Sequence, residues 1–103
     1  MVQSALWAEL WTSFASLLRS YTAAHGLGKK YQAHVELSDA RLLVRCDQRW
    51  LLVQHDGPEA RWSREDGTQG LMRLDEHGCI QFDERVAEEM DLVAEELARE
   101  LMR

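Results

Sequence analysis

Hydrophobic and polar positions follow two periods in three successive regions of the chain, and this order predicts two helices flanking a sheet. From residue 4 to residue 24 the apolar positions follow helical spacing and fall within one arc of about 140°. From 31 to 82, short segments alternate every second residue and are separated by turn residues. Helical spacing returns over 84–102, with Asp83 as the expected N-cap. The pattern predicts an α+β fold with an N-terminal helix, a five- to six-stranded antiparallel meander and a C-terminal helix, both helices covering one face of the sheet.

Turn chemistry supports the meander. Gly67 ends the predicted turn Glu65-Asp66-Gly67, and Gly78 ends the predicted turn Asp75-Glu76-His77-Gly78; both stand where a residue with positive φ is needed after a type I turn. The predicted strands cover 31–37, 40–46, 49–55, 59–65, 68–74 and 79–82.

Composition places the chain among globular proteins. With 103 residues and 46% hydrophobic residues, it suits a single α+β domain over 1–103. No apolar run approaches the ~20 residues of a membrane span, and the N-terminus lacks the basic start of a signal peptide. We therefore expect a cytoplasmic protein with no membrane contact. Arginine and alanine are abundant and asparagine is absent, which is typical of GC-rich bacterial codon use.

Catalytic and metal-binding patterns are missing from the sequence. The four histidines show no metal-ligand spacing. Cys46 and Cys79 are far apart in the sequence, and we expect both to be free, buried thiols. Cys46 and His55 fall on neighbouring predicted strands and could approach each other. Acidic pairs such as Glu65-Asp66 occur in turns, where they serve solubility. We expect no enzyme activity, no cofactor and no metal.

Charge is distributed unevenly. The net charge is −6, and the last predicted helix is strongly acidic, which argues against nucleic-acid binding by the whole molecule. Four arginines nevertheless alternate outward from the core face of the sheet, and we take them as candidate anion-binding residues: Arg41, Arg45, Arg61 and Arg73. Such a face suits the acidic helix of another subunit or single-stranded nucleic acid. The alternative is a solvated face on which Arg41, Arg61 and Arg73 pair with Glu36, Glu59 and Glu65.

Four tryptophans are many for a core of this size, so some are expected to line a groove or an interface. A groove between the sheet and the helices, suited to a small apolar ligand, has five candidate lining residues: Trp11, Tyr31, Trp50, Trp62 and Met90.

The first helix has an unusual back face of small, nearly uncharged residues, and the acidic face of the last helix is interrupted by one leucine. The candidate interface residues are Ala8, Thr12, Ala15, Ser16 and Leu92. From these surfaces we expect a non-enzymatic interaction domain that forms a homodimer. The alternatives are the apolar ligand-binding groove and, with less support, a nucleic-acid-binding sheet face.

Overall fold

The computed structural model describes residues 2–103, with side chains from Ala5 onward. Two helices flank a series of strands in chain order. The elements are α1 (Val2–His25), β1 (His34–Leu37), β2 (Arg41–Cys46), β3 (Arg49–Asp56), β4 (Glu59–Arg64), β5 (Gln69–Leu74), β6 (Cys79–Phe82), β7 (Glu88–Glu89) and α2 (Met90–Leu101). The predicted fold class is confirmed.

All the strands belong to one antiparallel sheet in sequential order, β1 to β7, which curls into a half-barrel. Each strand pairs with its neighbours in the chain, as in a meander. Burial alternates along the central strands, so one face is inside and the other is outside. On β2, for example, Leu42 and Val44 are fully buried while Arg41 and Arg45 are exposed.

Both helices pack on the inner face of the sheet and form the core with it. The helical contribution comes from Trp11, Phe14, Ala15 and Leu18 on α1 and from Val93, Ala94, Leu97 and Leu101 on α2. The Tyr21 hydroxyl donates to Asp91, and one turn further on His25 contacts Glu95. Because the contacts advance in the same direction on both helices, α1 and α2 run parallel.

The last helix is shorter than the helical spacing predicts. It begins at Met90, and residue 83 adopts a left-handed conformation with φ of +52° instead of capping a helix. Glu88 and Glu89 then pair with Ile80 and Cys79 and extend the sheet by a seventh strand. Two exposed glutamates carry no hydrophobic alternation, so the pattern of apolar residues does not reveal this strand.

The predicted glycine turns are confirmed. Gly67 and Gly78 have φ of +87° and +84°, and their amides donate to the carbonyls of Arg64 and Asp75. Within residues 2–103, no helix is both long enough and apolar enough to cross a membrane.

Candidate functional site

The outer face of the sheet holds the four arginines singled out by the sequence. Cross-strand pairing arranges their surroundings in rows. Arg41 lies opposite Gln54, which lies opposite Arg61, so two guanidinium groups flank an amide across three strands. One step along the strands, Leu43 lies opposite Leu52, and one step further Arg45 lies opposite Trp50. An aliphatic pair therefore lies between two rows that contain arginine.

The apolar part of this outer face is only partly covered. Leu43, Trp50 and Leu52 are half-buried, and Leu71, which lies opposite Arg61, is 63% exposed. Both helices pack on the inner face, so no helix formed by residues 2–103 covers this side. We call Arg41, Arg45, Arg61, Leu43, Trp50 and Leu52 the basic sheet patch.

Three of the arginines are free of ion pairs within the described part of the chain. Arg73 alone among the four lies near a carboxylate, that of Glu59, at 3.7 Å. Glu65 instead accepts a hydrogen bond from the Trp50 amide at 2.8 Å. The alternative in which the face is neutralised by neighbouring glutamates thus holds for Arg73 and not for Arg41 or Arg61. Their charge is available to a partner.

The opposite side of the molecule is acidic. Leu92 is 56% exposed on the side of α2 that faces away from the sheet. Glu96, one turn further along the helix, is exposed as well, and so is Glu89, which lies in β7 directly before the helix begins. We call Leu92, Glu89 and Glu96 the acidic helix patch.

Other acids of α2 are engaged within the molecule. Asp91 accepts a hydrogen bond from the Tyr21 hydroxyl at 2.7 Å, which raises the pKa of that phenol. Glu95 contacts His25 at 2.7 Å and also pairs with Arg99, and the His25 hydrogen bond is the main cause that lowers the Glu95 pKa. These contacts fix α2 against α1 and leave the acidic helix patch facing solvent.

The back face of α1 is only partly what the sequence predicts. Ala8, Thr12 and Ser16 are exposed, but Ala15 is fully buried in the core and therefore does not belong to that face. Its small side chain allows close packing inside the molecule. The Thr12 hydroxyl donates to the Ala8 carbonyl at 2.8 Å, so its donor is already used within the helix.

The five residues proposed to line an apolar groove are not brought together. Trp11 is 1% exposed, its indole N–H donates to the Gly57 carbonyl at 2.8 Å, and its ring stacks on His55 at 4.6 Å. Trp50 lies on the outer face of the sheet, whereas Trp62 lies on the inner face. Tyr31 lines a shallow cleft with Cys46 and Arg49, apart from Trp62. Met90 packs at the start of α2.

The possible approach of Cys46 to His55 does not occur, because they lie at opposite ends of their strands. Cys46 is opposite Arg49, whereas His55 is opposite Ala60. His55 is 9% exposed, and burial lowers its pKa despite the nearby Asp56. Within the described residues, no three His, Cys, Asp or Glu side chains are grouped to hold a metal ion.

The sequence analysis did not identify two sets of residues that shape these surfaces. Leu43 and Leu52 look like part of a strand that is apolar on both faces, and only the confirmed alternation shows that they lie outside. Arg64 points inward at the end of β4 and pairs with Glu100 at 3.0 Å. Its position two residues after Trp62 is the signal that would have placed it on the inner face.

No protein-family model, curated protein or solved structure matches this chain. The surfaces themselves therefore carry the functional argument.

Proposed function

We propose that this protein is a non-enzymatic interaction module that associates with further copies of itself through the basic sheet patch. The observation that supports this proposal is the set of unpaired arginines, Arg41, Arg45 and Arg61, around the uncovered Leu43–Leu52 pair. Interfaces combine a desolvated apolar centre with a polar rim, and charge complementarity selects the partner. The matching partner surface carries an exposed aliphatic residue surrounded by carboxylates.

The chain itself carries such a surface. In the acidic helix patch, Leu92 is the aliphatic residue, and Glu89 and Glu96 provide the carboxylates. The twelve residues of α2 make a helix about 18 Å long. At about 4.8 Å between strands, β1 to β4 span about 14 Å, so one helix crosses the whole patch.

The position of the two patches determines the mode of association. One lies on the outer face of the sheet, and the other lies on the far side of the helical layer. A contact between them is head-to-tail, and each added copy leaves one patch of each kind free. A dimer is then the first step of a concentration-dependent series. The association is weak because exposed ion pairs contribute only about 0.2–1 kcal/mol each and the apolar centre is small.

Light scattering during size-exclusion chromatography tests the proposal. We expect the mass of the unaltered chain to rise above 11.9 kDa from micromolar to millimolar concentration, and to fall back as salt screens the charges. The double variant Arg41→Glu and Arg61→Glu replaces attraction by repulsion and is expected to weaken association at least about tenfold.

The matched control is Lys29→Glu with Lys30→Glu, which changes the net charge equally on an exposed loop outside both patches. It is expected to associate like the unaltered chain. If both double variants weakened association equally, only the net charge would matter, and the basic sheet patch would be rejected as the contact surface. Salt-sensitive retention of a single-stranded oligonucleotide by an otherwise monomeric chain would reject self-association in favour of nucleic-acid binding.

A further inference from the structure

The shallow cleft beside Tyr31 lies at the end of the molecule where both helices end. Its volume is about 620 Å³, and it is lined mainly by three segments: the loop after α1, the turn between β2 and β3, and the last residues of the chain, 101–103. The Cys46 thiol donates to the Tyr31 carbonyl at 3.9 Å, and the Arg49 guanidinium donates to the Glu100 carbonyl at 2.9 Å. These contacts join the three segments. None of the described residues that line the cleft belongs to the basic sheet patch or to the acidic helix patch.

The charged side chains around the cleft are all exposed, so a ligand can reach them. They are Lys29, Lys30, Asp47, Arg49, Glu65 and Arg103. Two of them are engaged with the backbone. Arg49 donates to the main-chain oxygens of Glu100 and Arg103 and so balances the negative charge at the end of α2. The Glu65 carboxylate accepts from the Trp50 amide at 2.8 Å.

The remaining charges make the cleft positive. Without Arg49, the cations of Lys29, Lys30 and Arg103 face the carboxylates of Asp47 and Glu65. Among residues 5–103, no side-chain carboxylate lies within ion-pairing distance of these three cations. Salt screens charges that are more than about 8 Å away, so the nearby cations outweigh the net charge of −6 that the whole chain carries. The cleft therefore favours an anion.

An aromatic ring adjoins one of these cations. Tyr31 is 48% exposed, and the Lys30 ammonium lies 5.4 Å from the centroid of its ring. Leu101 and Met102, which are mostly buried, add apolar side chains to the lining. A flat apolar molecule packs well against an exposed ring, and an anion forms a strong hydrogen bond with an ammonium group. The neighbouring ring and ammonium match a ligand whose anionic group is attached to an aromatic ring.

We propose that this cleft binds a small aromatic carboxylate, with the carboxylate on Lys30 and the ring against Tyr31. The positive potential of Lys29 and Arg103 adds to the attraction. The volume of about 620 Å³ lies within the range of about 300–1,000 Å³ that is usual for ligand sites. Because the cleft is shallow, we expect affinity in the millimolar range. The site is separate from both patches and does not depend on self-association.

Nuclear magnetic resonance of the tyrosine rings tests this site. The unaltered chain is titrated with benzoate and, separately, with benzamide, which has nearly the same shape and no charge. We expect benzoate to shift the Tyr31 ring resonance saturably and to bind at least about fivefold more tightly than benzamide. Tyr31→Phe assigns the resonance. Tyr21, whose hydroxyl donates to Asp91, is the internal control, and its ring resonance is expected not to move.

Lys30→Gln is the second variant, because it removes the ammonium group and keeps a side chain of similar length. We expect it to weaken benzoate binding about threefold and to leave benzamide binding unchanged. The matched control, Arg85→Gln, removes one positive charge from the exposed loop after β6, outside the cleft, and is expected to bind benzoate like the unaltered chain. A linear, unsaturable shift of the Tyr31 resonance with benzoate would overturn the proposal. Equal affinity for benzoate and benzamide, or equal losses in the two variants, would overturn it as well.

Discussion

Trp11→Phe provides the sharpest test of which tryptophans belong to the core. The change removes an indole N–H that is donated to the Gly57 carbonyl at 2.8 Å, and it shrinks a ring that is 1% exposed and stacked on His55. An unsatisfied buried acceptor costs about 1–3 kcal/mol, and the low end applies here because Gly57 is half-buried and water can reach it.

The lost ring volume adds a second cost. Removing roughly 40 Å³ at about 24 cal/mol per Å³ costs about 1 kcal/mol if the site does not collapse. We therefore expect the free energy of unfolding to fall by about 2–3 kcal/mol, which is a large fraction of the total for a domain of this size. The midpoint of thermal unfolding is expected to fall by about 10 °C.

Urea unfolding followed by circular dichroism measures this loss, and Trp50→Phe is the matched control. Trp50 is half-buried on the outer face, so we expect its replacement to cost under about 1 kcal/mol. We assign Trp50 to the surface and Trp11 to the core. This assignment would be refuted if Trp50→Phe cost as much stability as Trp11→Phe, or if Trp11→Phe cost none.

Two further stability predictions follow from buried or capping contacts. Burial lowers the pKa of His55 in the folded protein. As the pH decreases, His55 therefore binds a proton in the unfolded chain before it does so in the folded chain. The free energy of unfolding is expected to fall as the pH decreases below about 6.5, the ordinary pKa of histidine. His55→Phe should flatten that part of the curve of unfolding free energy against pH, and an unchanged slope would contradict it. The Arg49 guanidinium donates to the Glu100 and Arg103 carbonyls at the end of α2. Arg49→Ala is expected to cost about 0.5–1.5 kcal/mol in urea unfolding, whereas Arg49→Lys should retain part of it.

The sheet was predictable because its information is local. Strand alternation and the glycines of the turns are coded within a few residues, as Gly67 and Gly78 show. The start of α2 was not predictable in this way. Its actual boundary depends on Asp83 adopting positive φ and bonding the Leu71 amide at 2.8 Å, and on Glu88 joining the edge of β6. These contacts join parts of the chain that are far apart in sequence.

The candidate surfaces show the same division. The outward direction of Arg41, Arg45 and Arg61 follows from period-two alternation, and the structure places them on one face. Ala15 was wrongly assigned to the exposed back face of α1. A helical wheel gives the direction of each side chain, but it does not show how much of the helix surface the neighbouring elements cover. The ion pair of Arg64 with Glu100 was not visible in the sequence, since it joins the end of β4 to the end of α2.

Mixing two complementary variants tests head-to-tail association most directly. Arg41→Glu with Arg61→Glu reverses the charge of the basic sheet patch, and Leu92→Arg replaces the aliphatic residue of the acidic helix patch by a cation that repels the arginines of a partner. Each variant alone is expected to sediment as a monomer of 11.9 kDa. In an equimolar mixture one intact patch of each kind remains available, so we expect a dimer of twice that mass and nothing larger. A mixture that stays monomeric while the unaltered chain associates, or variants that still associate alone, would contradict the proposed contact.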